Sequence, residues 1–204
     1  MDLFGFEPPP PKLKRPPAPR KGLCRLFFAL FPDGDARNKM LALGAEIKSR
    51  HQLAGKLHLE DRLHLTLDHL GDFESMPSDI VRHAIEVASE LAAQCHGFAV
   101  RLDQTVSFGR GDDSRPVVLR DSSSSNAMLA EFRSRLWDAL AARGVPGGPR
   151  SSFTPHVSLL YDRQVLQEEP AGPIGWQAGE FVLIHSALKQ THYDVMGRWV
   201  FQPI

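Results

Sequence analysis

The amino-acid sequence predicts an α+β fold whose sheets are mainly antiparallel. Three long stretches carry apolar residues at helical spacing, and seven shorter stretches are apolar or alternate polar with apolar residues, as strands do. Strands follow one another without an intervening helix in two parts of the chain, which does not fit a regular parallel α/β sheet. The 204 residues are 42% hydrophobic, which is enough to bury a core.

The first part of the chain is predicted to form two strands and a helix. The apolar run 25–31 stops at Pro32, as a buried strand followed by a turn does. Asp33 or Asp35 then caps a helix that continues to about residue 51. Residues 62–70 alternate polar and apolar side chains, which is typical of a half-buried strand.

The middle of the chain is predicted to contain a hairpin between two further helices. The first of these helices begins at 77–79 and ends near Gly97. Strands 98–108 and 116–120 follow, joined by a polar loop rich in Gly and Asp. The next helix stops at the Gly- and Pro-rich stretch 144–149. The residues assigned to the apolar faces of the three helices are Met40, Leu41, Leu43, Ala45 and Ile47, then Ile80, Ala84, Ile85, Val87, Ala88 and Leu91, then Met128, Leu129, Phe132, Leu136 and Leu140.

The last part of the chain is predicted to form three strands, at 153–161, 179–189 and 192–201. A rough internal repeat is visible. Each half of the chain contains a long amphipathic helix and one strand in which a histidine, an apolar residue, a hydroxyl residue and a second apolar residue follow each other.

The charge composition argues against nonspecific binding to nucleic acid. Lys plus Arg and Asp plus Glu number 24 each, so no overall positive field attracts a phosphate backbone. Any recognition of phosphate must therefore be local.

Cysteine content and hydropathy predict a soluble cytoplasmic protein. Cys24 and Cys95 are too few for a disulfide framework and lie in no metal-binding spacing, so reduced thiols are expected. The start of the chain lacks the apolar run of a signal peptide. The longest apolar stretches are far shorter than the roughly 20 residues that span a bilayer. We expect a monomer with no membrane association.

Residues 1–21 are predicted to form a flexible, basic, proline-rich tail, and residues 22–204 a single domain. Seven prolines between residues 7 and 20 remove backbone donors and fix φ, which excludes helix and sheet. The tail is either a polyproline ligand or weak phosphate contact, or a solvated leader; its composition favours the leader.

Two matched motifs carry the candidate chemistry, His64-Leu65-Thr66-Leu67 and His156-Val157-Ser158-Leu159. Side chains at i and i+2 of a strand emerge on the same face, so each imidazole has a hydroxyl beside it. An imidazole transfers protons and a hydroxyl donates a neutral hydrogen bond. One such motif arises often by chance, but two of the same form in two strands indicate a site for phosphodiester hydrolysis.

The segments 64–71 and 153–159 resemble the paired signatures of the two-histidine phosphoesterase superfamily, and the LigT-like branch in particular. The apolar run 25–30 also resembles that branch, so the similarity extends from about residue 25 to the C-terminus. The resemblance implies two pseudosymmetric lobes of antiparallel sheet with outer helices and a central cleft that holds both histidines. It also implies hydrolysis of RNA 2',3'-cyclic phosphate ends to 2'-phosphates, or formation of 2'-5' RNA linkages by the reverse reaction.

The same resemblance implies roles for the four motif residues. His156 would be the base that activates water, and His64 the acid that protonates the departing 3' oxygen. Thr66 and Ser158 would donate hydrogen bonds to nonbridging phosphate oxygens. The implied substrates are RNA ends or small cyclic nucleotides, and neither a metal nor another cofactor is implied.

Two positions depart from the pattern of the family. Ser158 stands where threonine is commoner, which retains the hydroxyl. Tyr161 stands where many relatives have arginine, which leaves room for another cyclic or 2'-5'-linked nucleotide as substrate. Tyr161 could stack on a base, bind a phosphate, or face the rim of the cleft.

Three more residues are candidates with weaker signals. Phe153 is expected to pack beneath the second motif, with base stacking as the alternative. Arg25 either reaches a phosphate from the first strand or is solvated. His69 lies an odd number of residues from His64, so a regular strand would turn it to the opposite face, and we expect a structural role. The remaining histidines fall mostly in predicted helices, loops or edges; they are His51, His58, His83, His96, His185 and His192.

Two other classes of function remain open at the level of the sequence. A zinc hydrolase is disfavoured because neither motif lies beside a His-x-x-x-His pattern or a grouping of Asp and Glu residues, and hydroxyls are poor zinc ligands. A module that only binds RNA or nucleotides is disfavoured because Arg or Lys would serve phosphate binding better than two histidines.

Overall fold

The computed structural model describes residues 24–109, 114–148, 153–187 and 193–203. The predicted tail 1–21 and His192 lie outside the described residues. The helices are α1 Gly34–Arg50, α2 Ser78–Ala92 and α3 Ala127–Ala142. The strands are β1 Cys24–Leu30, β2 Leu65–Phe73, β3 Phe98–Ser107, β4 Arg115–Arg120, β5 His156–Asp162, β6 Glu169–Ala178, β7 Glu180–Ala187 and β8 Asp194–Val200.

The eight strands form one antiparallel sheet in the order β6-β3-β4-β5-β2-β1-β7-β8. The sheet has two four-stranded halves that meet where β5 pairs with β2. The ladder between these strands contains a single residue pair, Leu65 with Val157. The α+β prediction is confirmed, and the two lobes are the two halves of this sheet.

The helices cover one face of the sheet, and the main core lies between the helices and that face. Helix α1 contacts β5 and β6, α3 contacts β2 and β3, and α2 packs on α3 and β8. Alternate residues of β1 explain its continuous apolar run. Leu26 and Phe28 enter the main core, whereas Phe27 and Ala29 form a small cluster with residues of β7 on the other face.

The helix boundaries agree with the sequence to within a few residues. Asp33 is the N-cap of α1, and its carboxylate accepts a hydrogen bond of 2.8 Å from the amide of Ala36. Three residues assigned to apolar faces are exposed instead, Ala45 in α1, Ile85 in α2 and Met128 in α3. They lie at the margin of the apolar stripe, where helical spacing alone does not separate core from rim. Within the described ranges, none of the helices combines the length and the apolar composition that a bilayer-spanning helix needs.

Strand β6 was not predicted from the sequence. Its ten residues include Pro170, Pro173, Gly172 and Gly175, which indicate a loop rather than a strand. The strand lies at the edge of the sheet, where a proline need not donate to a second neighbour. Gly175 also faces the backbone carbonyl of Val100 so closely that an added Cβ would lie 3.0 Å from that oxygen.

The loop that follows α1 docks on β5. The amide of Gly55 donates to Asp162 (2.6 Å), and the amide of His58 donates to the carbonyl of Leu159 (2.8 Å). Leu57 forms a bridge with Leu160. The chain then makes a 3-10 turn at Glu60–Arg62 and enters β2. Loop and turn therefore place His58 and Arg62 beside both histidine motifs.

Candidate active site

All four motif residues line one cavity of about 320 Å³. We call it the histidine cavity. It lies on the sheet face opposite the helices, where β2 meets β5. Its lining residues are Arg25, Phe27, His58, Arg62, His64, Thr66, His69, His156, Ser158, Tyr161, Ser186 and Tyr193.

The pairing of β2 with β5 sets the arrangement of the motifs. Leu65 is opposite Val157 in an antiparallel register. In that register, His64 lies across from Ser158, and Thr66 lies across from His156. The two motifs are therefore related by an approximate twofold axis through the central apolar pair, and each histidine lies across the strand pair from the hydroxyl residue of the other motif.

Both imidazoles are oriented by the same kind of backbone hydrogen bond. Nδ1 of His64 donates to the carbonyl of Arg62 (2.8 Å), and Nδ1 of His156 donates to the carbonyl of Thr154 (2.7 Å). In each case the acceptor lies two residues before the histidine. A proton held on Nδ1 leaves Nε2 of the neutral ring as the basic atom. Each histidine thus presents Nε2 for proton transfer.

An aromatic ring supports each imidazole. The centroid of Phe27 lies 5.2 Å from that of His64, and the centroid of Phe108 lies 4.9 Å from that of His156. Tyr193 meets His64 edge to face, with centroids 5.2 Å apart and planes at 89°. These contacts restrict rotation of the rings and remove water from their faces.

Burial keeps the motif histidines neutral in the ligand-free protein. Desolvation lowers the pKa of His64 to about 4, and the positive charge of Arg62 contributes in the same direction. Desolvation also lowers the pKa of His156. The backbone carbonyls that accept from Nδ1 oppose both shifts without reversing them.

His69 lies in the histidine cavity, so the prediction that it faces away from His64 was wrong. A bulge in β2 is the reason. Phe28 pairs with Asp68 whereas Ala29 pairs with Thr66, which leaves Leu67 as an extra residue in the strand. One extra residue reverses the alternation of side chains, and His69 therefore faces the same cavity as Thr66.

The other candidates for substrate contact have different surroundings. Tyr161 is 47% exposed at the rim of the histidine cavity, and its ring meets His58 edge to face. Arg25 lines the cavity but is held by Asp72, as described below. Phe153 lies outside this cavity, in a neighbouring one of about 300 Å³, where its ring packs on the guanidinium of Arg133 at 4.7 Å.

The histidine cavity is also lined by His58, Arg62 and Tyr193, which were not predicted from the sequence to be site residues. Arg62 could have been found, because it precedes His64 by two residues in the predicted strand. His58 belongs to a loop without a recognisable pattern, and Tyr193 comes from the far end of the chain. The positions of these last two depend on long-range packing.

The described residues contain no group of three or more His, Cys, Asp or Glu side chains arranged to hold a metal ion. Both cysteines are buried and unpaired. The polar groups gathered here are imidazoles, hydroxyls and guanidinium groups, which suit proton transfer and anion binding.

A family model described as the 2'-5' RNA ligase superfamily matches residues 40–186, well over half of the sequence. The chain belongs to this superfamily. The match includes both histidine motifs, and it agrees with the resemblance to LigT-like two-histidine phosphoesterases. A search of curated protein sequences found no significant match.

Solved structures support the same assignment. Apo LigT from E. coli is 25% identical, with a TM-score of 0.69, and the match covers 89% of this chain and 99% of LigT. TT0787 from Thermus thermophilus has the same TM-score at 21% identity, with 88% and 98% of the two chains covered. At 21% identity, the likeness to TT0787 shows the fold alone. The superfamily comprises 2'-5' RNA ligase and cyclic phosphodiesterase-type enzymes, so this chain is of a phosphodiesterase type.

Proposed function

We propose that this protein hydrolyses cyclic phosphodiesters without a metal ion, by acid–base catalysis with His64 and His156. RNA 2',3'-cyclic phosphate is the proposed substrate and the 2'-phosphate the product. The observation that carries the proposal is the twofold arrangement of the two imidazoles. Each has its Nδ1 proton held by a backbone carbonyl, and each lies across the same cavity from a hydroxyl.

The arrangement supports a balanced reaction at phosphorus. Nε2 of His156 accepts a proton from water, and the water oxygen attacks phosphorus as the bond to the 3' oxygen breaks. Nε2 of His64 carries a proton in the substrate complex and gives it to the departing oxygen. Water is consumed, and a 2'-phosphomonoester and a free 3' hydroxyl are formed.

Thr66 and Ser158 are proposed to bind the nonbridging oxygens. Each hydroxyl lies across from the imidazole of the other motif, so a phosphate between the histidines has a donor on both sides. Hydrogen bonds to a charged phosphate contribute about 1.5 to 3 kcal/mol each. Both side chains are partly buried, which strengthens such bonds by lowering the local dielectric.

With substrate bound, the proposed roles require a protonated His64 as the acid and a neutral His156 as the base. Because the pKa of His64 is about 4, its Nε2 atom carries no proton in the empty cavity at neutral pH. A phosphodiester anion beside the ring favours the imidazolium and raises that pKa. The substrate therefore promotes protonation of its own general acid.

Nucleotide complexes of a relative support the proposed class of substrate. E. coli LigT has been crystallised with 3'-AMP, with ATP and with phosphate. Ligation to a 2'-5' linkage, as in the name of the superfamily, is the same chemistry in reverse. The histidine cavity of about 320 Å³ accommodates a cyclic phosphate with its ribose.

A hydrolysis screen with the purified full-length protein tests the proposal. The panel contains nucleoside 2',3'-cyclic phosphates, RNA with a 2',3'-cyclic end, a 2'-5' dinucleotide and ADP-ribose cyclic phosphate. Phosphorus NMR distinguishes a 2'-phosphate product from a 3'-phosphate. We expect turnover of the 2',3'-cyclic substrates to 2'-phosphates. A 3'-phosphate product would contradict the assignment of the leaving oxygen, and no turnover on the whole panel would contradict the proposed function.

A further inference from the structure

The histidine cavity needs a positive charge that the motif residues do not provide. A phosphodiester carries a negative charge, and burial of an uncompensated charge is strongly unfavourable. Thr66, Ser158 and Tyr161 are neutral, and both motif histidines are neutral in the empty cavity at neutral pH. The cation that first attracts the substrate must therefore come from elsewhere in the lining.

Two arginines line the cavity, and one of them is already neutralised. Arg25 forms a bidentate ion pair with Asp72, with Nε to Oδ1 at 2.7 Å and Nη2 to Oδ2 at 2.8 Å. The same carboxylate lies 3.2 Å from Nε2 of His69. The hydrogen bond from Arg25 lowers the pKa of the Asp72 carboxyl to about 2, so the ion pair stays formed at neutral pH.

Arg62 is the other arginine, and within the described parts of the chain it makes no ion pair. Its Nη1 atom is buried without a hydrogen-bond partner. A buried guanidinium nitrogen without an acceptor is costly unless a ligand supplies one. Arg62 itself lines the cavity in which the phosphate is proposed to bind.

Tyr193 holds the guanidinium of Arg62 in place. The Cζ atom of Arg62 lies 3.7 Å from the centroid of the Tyr193 ring. Stacking over an aromatic face covers the face of a guanidinium and leaves the N–H groups in its plane available for oxygen ligands. The same tyrosine contacts His64 and Phe27, so the cation and the imidazole share one support.

The backbone of Arg62 fixes the distance between the cation and the first motif. Its carbonyl accepts the Nδ1 proton of His64 at 2.8 Å. The carbonyl of Arg62 thus orients the ring of His64, and the charge of its side chain acts on the same ring. A substitution of the side chain leaves this backbone hydrogen bond available, which makes the role of the guanidinium testable.

We infer that Arg62 is a further catalytic residue, whose guanidinium binds a nonbridging oxygen of the substrate phosphate and supplies the positive charge of the site. This inference rests on the proposed function, because it assigns the ligand of Arg62 to the same phosphate. In the complex, the phosphate oxygen accepts a hydrogen bond from the guanidinium of Arg62 and offsets the repulsion between Arg62 and protonated His64.

The experiment compares Arg62→Met, Arg62→Lys and Arg62→Ala with Arg82→Met. Arg82 is an exposed arginine of α2 that pairs with Asp79 and Glu86 and does not line the cavity. Two quantities are measured for each variant: the Kd of inorganic phosphate by calorimetry, and kcat/KM for a nucleoside 2',3'-cyclic phosphate. Thermal unfolding establishes that each variant is folded.

We expect Arg62→Met to raise the Kd of phosphate and to lower kcat/KM, each by about 10- to 150-fold, the value of one hydrogen bond to a charged group. Arg62→Lys retains the charge without the planar fork, so its losses should be smaller. Arg82→Met should match the wild type. Added guanidinium ion should restore part of the rate of Arg62→Ala, which a purely structural role would not allow.

The outcomes separate this inference from the proposed function. If folded Arg62→Met keeps wild-type phosphate affinity and kcat/KM, the inference is wrong. If the rate falls but phosphate affinity does not, and guanidinium restores nothing, the role is structural and the inference is also wrong. If the wild type binds phosphate through Arg62 but turns over no cyclic substrate, the inference stands and the proposed function fails.

Discussion

Burial sets the protonation of the two motif histidines, and it does so differently at the two positions. His64 combines desolvation with the nearby charge of Arg62, which lowers its pKa to about 4. His156 has desolvation without a cation among the causes of its lowered pKa. In the ligand-free protein both rings are therefore neutral at neutral pH, and His64 needs the negative charge of a bound phosphate to hold the proton that it gives to the departing oxygen.

The lowered pKa values predict the pH dependence of the reaction. One protonated and one neutral histidine are needed, so kcat/KM should follow a bell between the two free-enzyme pKa values. Both are lowered from 6.5, so the bell should lie below that pH and kcat/KM should fall as the pH rises further. The profile of kcat should lie at higher pH, because bound phosphate raises the pKa of His64.

Initial rates from pH 4 to 9, together with NMR titration of the His64 ring with and without phosphate, measure these shifts. The acid–base assignment would be contradicted by a profile that stays flat from pH 5 to 9 while chemistry is rate-limiting. It would equally be contradicted by a His64 pKa that phosphate does not raise.

Pattern alone predicted the residues that lie within the two motifs, because strand alternation places i and i+2 side chains together. His64, Thr66, His156 and Ser158 all line the cavity as the alternation requires. The same rule failed for His69, because a bulge is not visible as a change of pattern.

Among the elements, the loop between α1 and β2 positions two residues of the site although it has no regular structure of its own. Gly55 lies against the backbone of β5, where an added Cβ would come within 2.0 Å of the carbonyl oxygen of Tyr161. The backbone of β5 cannot move aside for an added Cβ as the end of a flexible side chain can. Glycine is therefore required at this position for the loop to dock and for His58 and Arg62 to reach the cavity.

Gly55→Ala should destabilise the protein by about 1 to 3 kcal/mol, the usual cost of overpacking, and should lower phosphate affinity by displacing the loop. Gly34→Ala is the matched control. Gly34 is the first residue of α1, with nothing within 4 Å of an added Cβ, so alanine should be neutral or stabilising by up to about 1 kcal/mol. Urea unfolding of both variants measures the difference. Equal stability of the two variants would show that the loop does not dock as described.

The sequence predicted seven of the eight described strands and all three helices, and the missed strand has a physical reason. Proline and glycine are unfavourable in a central strand and tolerated at an edge, and position in the sheet is not a local property. Strand β5 also begins three residues later than predicted, at His156 rather than Phe153.

At the scale of the whole molecule, the histidine cavity exists because two similar halves of one sheet meet at a single residue pair. Neither half contains a complete site. The half with β2 supplies His64 and Thr66, and the half with β5 supplies His156 and Ser158. The short ladder at Leu65 and Val157 places the two motifs side by side in the lining of one cavity. The central claim is that these two halves act together as acid and base.

Turnover of 2',3'-cyclic substrate by His64→Ala and His156→Ala, in the presence of EDTA, tests this claim most directly. Each variant should lose about 100- to 10,000-fold in rate, as loss of a general acid or base does, while it remains folded. Thr66→Val and Ser158→Ala should lose less, and His83→Ala, a histidine of α2 outside the cavity, should lose nothing. EDTA should leave the wild-type rate unchanged. Full activity in either folded alanine variant, or a wild-type rate that chelation abolishes and added metal restores, would contradict the account.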